Sequence, residues 1–369
     1  MLLFFILLTF YIVCGYVEVY FIRKRCTVSV IRLWNIFLVF PLWFLISFRS
    51  ETVGNDTIAY KHLYDFFSTN DLSTILSETD SYGNIESGFV VLSYFFREIL
   101  GVSYDIFQII VSTFICIGFY SFFNRYSSNV SLSWFLFIVL LSFSRSMNIM
   151  RQMLAVSLSL YSFSLLLNKK YLKYITYILL LSLFHKTSLV LLSIFPFLFI
   201  KSNKLKIIIT SFVCFSIFFL SPLIIEGLIN YSLEYQYLFN SIYISNYGGA
   251  AYINLLIGLS VLYLFRNLSR LNKINNIDIF YSKNIWQAFL YMSIIIYSFG
   301  FYFGLADRVA LYFSSIFLVI IPSSFNKNII GRYNFFPILF FIGLTFYFFM
   351  ILIFRNHWHT SLPYSFMWE

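Results

Sequence analysis

The sequence predicts an all-α, polytopic integral membrane protein with about twelve transmembrane helices, because of its composition, its apolar runs and its charge distribution. Its 369 residues are 60% hydrophobic and only 11% charged, with a mean hydropathy of +0.83. Soluble domains are about 45–50% apolar and about 25% charged. We therefore expect residues 1–369 to form a single transmembrane domain. This composition excludes disordered, nucleic-acid-binding and disulfide-rich secreted classes.

Apolar runs long enough for helices recur along the whole chain. The first run, residues 1–22, lacks a basic start and is followed at once by Arg23-Lys24-Arg25, the reverse of a cleavable signal peptide. We expect it to remain as a helix whose N-terminus is outside. The other runs cover 33–48, 104–123, 131–147, 151–168, 172–184, 187–200, 207–225, 251–265, 285–304, 309–325 and 333–354. Both termini then fall outside.

Basic and acidic residues separate to opposite sides of this predicted topology. Seventeen of the 25 Lys and Arg residues fall inside, as the positive-inside rule requires, which also accounts for the net charge of +10. Thirteen of the 15 acids fall outside, the exceptions being Glu18 and Asp278, and all four histidines are outside. The four cysteines have no metal or disulfide spacing. We expect the functional site to face the outer side. We expect it to bind neither a metal nor nucleic acid.

Residues 172–200 form one apolar stretch that is broken only by His185-Lys186. Basic clusters flank both ends, so the sequence predicts a hairpin that crosses outward and returns. Each arm has about 13 residues, or about 20 Å, which is shorter than a hydrocarbon core of about 30 Å. The hairpin would hold His185 and Lys186 in a cavity below the outer surface. The alternative is one tilted helix with His-Lys at mid-membrane, which inverts the downstream topology.

Two outer loops are long enough to fold. The loop 49–103 contains most of the acids and an amphipathic stretch at 86–100. We expect this stretch to lie as a helix in the membrane interface or to re-enter the membrane. The second loop, 226–250, is rich in Tyr and Asn. Aromatic residues at this depth usually anchor a protein in the interface, although they also stack on sugar rings.

Several basic residues lie at outer helix ends, where the positive-inside rule disfavours them. Snorkelling or pairing with an acid accounts for any one of them. As a group they suit a lipid pyrophosphate, because guanidinium binds phosphate oxygens bidentately and stays protonated. Arg151 opens a helix whose free N–H groups also favour anions, and Arg308 begins another helix. The set is Arg49, Arg97, Arg145, Arg151, Lys186, Arg308 and Arg355.

Asp56 and His185 are two candidate general bases on the outer side. Asp56 follows Gly54-Asn55, a pair that permits a tight turn. A neutral imidazole can accept a hydroxyl proton near pH 7, although a membrane histidine more often only bonds a neighbouring helix. No phosphate-binding loop, zinc-protease, nucleophile-elbow or EF-hand motif is present in the sequence, so no cofactor is expected.

The chain resembles the EpsG family of membrane polysaccharide polymerases, which are related to the O-antigen polymerases of the Wzy group. The resemblance covers most of the length and depends on the order of short motifs rather than on any one of them. These are Phe48-Arg49, Gly54-Asn55-Asp56 with Tyr60, Glu86-Ser87-Gly88-Phe89, Arg151-Gln152 before a helix of small residues from Ala155, Phe184-His185-Lys186-Thr187-Ser188, Asp307-Arg308 with Tyr312-Phe313, and Leu362-Pro363-Tyr364.

The resemblance implies a GT-C-like glycosyltransferase architecture and a polymerase in the bacterial cytoplasmic (inner) membrane, with its site facing the periplasm or exterior. Such enzymes move a growing glycan from undecaprenyl pyrophosphate onto a new lipid-linked repeat unit, for O-antigen, capsule or exopolysaccharide. Donor and acceptor are both undecaprenyl-pyrophosphate-linked oligosaccharides in membrane lipid, and a chain-length regulator is a further candidate partner. A flippase of lipid-linked oligosaccharide and a glycan ligase are the alternatives.

The resemblance also assigns expected roles. His185 is the expected base for the acceptor hydroxyl, and Asp56 is the reserve. The expected pyrophosphate ligands are Arg151 and Arg308, with help from Arg145, Arg49 and Lys186. The expected sugar contacts are Tyr60, Gln152 and Tyr312.

Overall fold

The computed structural model describes residues 1–22, 26–66, 85–200, 202–231, 248–275, 283–325, 335–355 and 361–369. Its α-helices in chain order are α1 (Leu2–Val17), α2 (Val28–Ser47), α3 (Thr57–Phe66), α4 (Ser87–Tyr94), α5 (Tyr104–Tyr126), α6 (Val130–Val139), α7 (Ser142–Asn148), α8 (Met150–Leu167), α9 (Tyr171–Ser182), α10 (Phe195–Phe199), α11 (Asn203–Tyr231), α12 (Gly248–Asn275), α13 (Lys283–Phe299), α14 (Ala306–Ser314), α15 (Phe317–Ser323) and α16 (Phe336–Phe354). They form two compact units, Met1–Ser188 with Phe335–Glu369, and Leu189–Asn334.

Helices that could cross a membrane dominate both units. Among the described residues, seven helices are long and apolar enough to do so, and nine spans result if two bent pairs each count as one. Every apolar run predicted from the sequence contains at least one helix. The all-α, polytopic membrane class is therefore confirmed. Helices suit this setting because they satisfy every backbone hydrogen bond within one segment.

Two predicted runs, 131–147 and 309–325, are each divided into two helices that bend at the junction. Helices α6 and α7 bend by 60° at Leu141, whose φ of 64° is left-handed, and α14 and α15 bend by 52°. The 172–200 stretch breaks after α9, and a 3-10 helix (Lys186–Ile194) follows the turn before α10. The break at His185 agrees with the predicted interruption. Of the second outer loop, residues 232–247 lie outside the described residues.

Helices α5 and α8 run parallel through the first unit. Gly118 on α5 faces Ser157 on α8, and further along Tyr126 and Phe163 pack edge to face, with ring centroids 5.3 Å apart. A Cβ on Gly118 would lie 2.6 Å from the Ser157 carbonyl oxygen, so only glycine allows this approach. The N-termini of both helices therefore lie at one end of the unit.

Helix α2 runs antiparallel to α5 and fixes which segments share that end. The Gln108 amide donates to the carbonyl oxygens of Ser47 and Arg49, at 3.0 Å each. At the opposite end, Asn35 near the start of α2 contacts Asn124 near the end of α5. The loop after α2 thus lies beside the starts of α5 and α8. We call this the loop end of the first unit.

The C-terminal segment 361–369 holds the start of this loop. The Ser50 N–H donates to the Ser365 carbonyl, and the Met367 N–H donates to the Phe48 carbonyl, each at 3.0 Å. The Tyr364 hydroxyl donates to the Leu45 carbonyl at 2.8 Å. These bonds give the motif Leu362-Pro363-Tyr364 a structural role, because they hold the loop that is far from it in sequence.

The second unit is built around α13, which packs against α11, α12 and α14. Buried Lys206 on α11 donates to the side chain of Asn284, which in turn donates to the Leu198 carbonyl. Arg308 and Tyr312 both lie on α14 in this unit, and the Tyr312 side chain is buried.

Glu18, one of the two acids predicted inside, caps helix α6. Its buried carboxylate accepts the N–H groups of Val130 and Ser131, at 2.9 and 2.8 Å, and the Ser131 hydroxyl at 2.8 Å. A carboxylate at a helix N-terminus satisfies donors that have no partner within the helix and opposes the helix dipole.

We expect Glu18→Ala to destabilise the fold by about 1–3 kcal/mol, because it leaves these buried N–H groups without an acceptor. Thermal unfolding of the purified protein in detergent measures this loss. Glu98→Gln, which changes an exposed acid of the same unit, is the matched control and should leave the midpoint unchanged. Equal midpoints for the Glu18 variant and the wild type would contradict the capping role.

Candidate active site

The loop after α2 is fixed against the junction of α7 and α8. Gly54 has a φ of +94°, and a Cβ there would lie 2.5 Å from the Met147 carbonyl oxygen. The Thr57 hydroxyl donates to the carbonyls of Val53 and Met147, at 2.8 and 3.2 Å. The Asp56 N–H donates to the Asn148 side chain at 3.2 Å. The turn that the sequence predicted at Gly54-Asn55 is present, and it places Asp56 next to the start of α8.

Glu86 is the centre of a charged cluster at the loop end. Its Oε2 accepts a hydrogen bond from Nη1 of Arg151 at 2.7 Å, and its Oε1 lies 2.7 Å from Nδ1 of His185. Oε1 also accepts the Lys186 N–H at 3.0 Å. The side chain of Glu86 is only 7% exposed, against 18% for Arg151 and 19% for His185. The cluster therefore pairs a buried carboxylate with two partly accessible cationic or titratable groups.

The surroundings of Glu86 keep it ionised. Burial raises the pKa of its carboxyl, but the contact and charge of His185, the charge of Arg151 and the Lys186 N–H together hold that pKa below its usual value. At neutral pH the carboxylate is therefore negative and compensates the Arg151 guanidinium.

Gly88 sets the distance between Glu86 and His185. Its N–H donates to the Leu183 carbonyl at 2.8 Å, directly joining the start of α4 to the turn that carries His185. A Cβ on Gly88 would lie 2.6 Å from that carbonyl oxygen. The glycine in Glu86-Ser87-Gly88-Phe89 is thus required for close approach of two backbones.

We expect Gly88→Ala to force these segments apart and to reduce the activity of the protein at least tenfold, because a misplacement of about 1 Å can already cost about a hundredfold in rate. Gly343→Ala is the matched control, since a Cβ there meets nothing within 4 Å. The rate of the reaction at this site, with protein abundance measured in parallel, provides the readout. A normal rate from folded Gly88→Ala protein would show that this spacing is unimportant.

Arg151 lies at the start of α8, where the sequence predicted it. Its guanidinium carbon is 5.6 Å from the ring centre of Tyr60 and 5.9 Å from that of Phe89. The aromatic rings and Glu86 hold the guanidinium in place while one of its N–H groups bonds the carboxylate. A guanidinium has five N–H donors, so others remain for an anion.

Arg49 has a different environment. Its side chain is 1% exposed, and it donates to the Ile46 carbonyl and approaches Sδ of Met150 at 3.8 Å. Burial lowers the pKa of this guanidinium, opposed by the phenols of Tyr104, Tyr364 and Tyr60. In this structure it lies beneath the start of α8 rather than at an open surface. Direct binding of pyrophosphate by Arg49 stays a prediction and requires that cover to move.

The remaining predicted residues occupy several positions. Arg145 on α7 is largely buried and donates to the Leu140 carbonyl at 3.3 Å, and Gln152 is buried on α8. Lys186 is exposed beside the Glu86 cluster, and Tyr60 is mostly covered beside Arg151. The structure thus brings His185, Arg151, Lys186, Tyr60 and Asp56 to the loop end of the first unit. Arg308 and Tyr312 belong to the second unit.

Glu86 itself was absent from the predicted site residues. The sequence contained a signal, since Glu86 opens one of the motifs of the resemblance. Its partners lie 65 and 99 positions further along the chain, so only the folded chain reveals that it joins Arg151 to His185.

The fold and this cluster define a multi-pass helical membrane protein with a buried, charge-paired site at one end of its first unit. The EpsG family model matches residues 32–366, nearly the whole chain. The chain therefore belongs to the EpsG family, a family of Wzy-like polymerases. No curated protein and no solved structure matches it.

Proposed function

We propose that this protein is a membrane glycosyltransferase that polymerises polysaccharide from undecaprenyl-pyrophosphate-linked repeat units at the outer leaflet of a bacterial cytoplasmic membrane. The product is O-antigen, capsule or exopolysaccharide. The same proposal includes a GT-C-like architecture. It also includes the twelve membrane crossings that the sequence predicts at about 20 residues a span. The observation that carries it is the Glu86–Arg151–His185 cluster in a chain of the EpsG family.

In the proposed reaction, an acceptor hydroxyl oxygen attacks the anomeric carbon that joins the growing glycan to its lipid carrier. The new glycosidic bond forms as the bond from that carbon to pyrophosphate breaks. The pyrophosphate keeps the bonding electrons and leaves as undecaprenyl pyrophosphate. Negative charge therefore develops on the leaving oxygen, where fixed cations lower the barrier.

Arg151 is the first proposed ligand of that pyrophosphate. It combines a guanidinium held by Glu86 with the N-terminal end of α8, whose N–H groups also favour anions. Exposed Lys186 lies beside the same cluster. Arg308, Arg145 and Arg49 are proposed as further ligands on the resemblance, and Tyr60, Gln152 and Tyr312 as sugar contacts.

His185 is the proposed general base, and Glu86 is its positioning residue. Because Nδ1 is the ring nitrogen that contacts Glu86, Nε2 is the nitrogen left to accept the hydroxyl proton. A carboxylate close to one ring nitrogen stabilises the imidazolium that forms, as in other carboxylate–histidine pairs. Asp56 remains the reserve base.

The size profile of surface and lipid-linked glycan in cells lacking this protein tests the proposal. The expected result is loss of the long ladder while single repeats still reach the surface. Single repeats trapped on the inner leaflet would instead indicate a flippase, and long chains left on their lipid carrier would indicate a ligase. An unchanged ladder would contradict all three functions.

A further inference from the structure

A half-open groove lies in the first unit between α5, α8 and α9, in the half away from the loop end. It encloses about 290 Å³. The Tyr177 hydroxyl on α9 donates to the Leu158 carbonyl on α8 at 2.9 Å and closes one side. The floor lies where Gly118 allows α5 and α8 to touch at Ser157. Side chains at its rim are open to the surroundings, including Ile117 at 52% and Tyr161 at 60% exposure.

The groove is apolar along its length. The hydroxyls of Ser157 and Ser164 donate to carbonyls of their own helix, at 2.8 and 2.9 Å, so these side chains do not present free donors to an occupant. The rest of the lining is mainly aromatic and aliphatic, including Phe114, Phe122 and Leu160. A hydrocarbon chain fits such a surface, whereas a sugar or a free phosphate lacks partners along it.

One end of the groove carries a cation. Exposed Arg125 lines it, with its guanidinium carbon 5.5 Å from the ring centre of Tyr126. Within the part of the chain that the structure describes, no ion pair joins Arg125 to a carboxylate. Because α5 and α8 run parallel, exposed Lys169 and Lys170, which follow the end of α8, lie at the same end of the unit. The acid Glu18 at this end caps α6. This end of the unit is therefore strongly basic.

We propose that this groove binds an anionic phospholipid, with one acyl chain along α5 and α8 and the phosphate at Arg125. Charge complementarity selects this occupant, since basic pockets between transmembrane helices are typical sites for anionic headgroups. The site lies at the opposite end of the first unit from the Glu86 cluster. It does not depend on the proposed polymerase function.

Native mass spectrometry of the full-length protein, with phosphatidylglycerol or phosphatidylethanolamine added to the detergent, tests this proposal. We expect preferential binding of one phosphatidylglycerol. Arg125→Gln should weaken its binding about fivefold and remove the preference, by the usual contribution of one cation near a headgroup. Arg32→Gln, an exposed arginine near the same end but outside the groove, should change nothing.

Ser121→Phe fills the groove and should reduce binding of both lipids. Because Arg125 is exposed, Arg125→Gln should fold normally. It therefore tests the proposal even if Ser121→Phe impairs folding. The proposal would be overturned if both lipids bind equally well and neither substitution alters their binding. Loss of a dimer rather than of lipid in Ser121→Phe would also overturn it, by showing that a second copy covers the groove.

Discussion

His185→Ala should reduce chain elongation by about 10²–10⁴-fold, the usual contribution of a positioned general base. Nδ1 of His185 lies 2.7 Å from Glu86, and in the proposed mechanism Nε2 then accepts the proton of the acceptor hydroxyl. Purified protein in lipid nanodiscs, supplied with a lipid-linked repeat unit, gives the rate from the growth of products on a gel. The donor should still bind, because Arg151 retains its contact with Glu86.

His62→Ala is the matched control for this experiment. His62 is an exposed histidine on α3, in the loop 49–103 that also contains Glu86. Its loss should leave elongation within about twofold of the wild type, the scatter of a surface substitution. Asp56→Ala completes the set. Elongation that survives His185→Ala but is abolished by Asp56→Ala would transfer the role of base to Asp56.

The helices were predictable because each apolar run must satisfy its backbone internally in lipid. The break at His185 was predicted as well, but the bends between α6 and α7 and between α14 and α15 were not. Leu141, where α6 and α7 bend, is an ordinary apolar residue with a left-handed φ that tertiary packing imposes. The bend lies just before the segment that holds Asp56 and begins α8. Local sequence therefore predicts where the helices lie better than how they bend near the site.

Some features of the candidate site were likewise predictable from local sequence, and others were not. The position of Arg151 at a helix start and the turn at Gly54 follow from local sequence, and both are present. The burial of Arg49 and the bridging by Glu86 depend on contacts between distant segments, which charge patterning cannot supply. The sequence also predicted that Glu18 is inside, but its function as a cap for α6 requires knowing which helix starts beside it.

The pairing of Glu86 with Arg151 predicts a large loss of stability when only one partner is changed. Glu86→Gln leaves a mostly buried guanidinium facing a neutral amide, and breaking such a pair costs about 3–5 kcal/mol. The exposed pair Glu51–Lys61, with side chains 47% and 41% exposed, is the matched control. Glu51→Gln should cost less than about 1 kcal/mol. Thermal unfolding in detergent compares the two.

The same pair predicts how stability depends on pH. Because the pKa of Glu86 is lowered in the folded protein, its contribution is fully present above the ordinary carboxyl pKa of about 4.3. The contribution is lost as the pH falls through the lowered value. The stability that Glu86 adds relative to Glu86→Gln should therefore be lost only under acid conditions. A difference that shrinks near pH 6 would contradict the lowered pKa.

Combining Glu86→Gln with Arg151→Met separates the structural role of the cluster from its function. The double variant contains no unpaired buried charge, so its stability should return to within about 1 kcal/mol of the wild type. Elongation should nevertheless stay at background, because in the proposed mechanism His185 has lost its carboxylate and the pyrophosphate has lost the guanidinium that binds it. A stable double variant that elongates chains normally would mean that the cluster only holds the fold together. A stable but inactive one assigns it to the reaction.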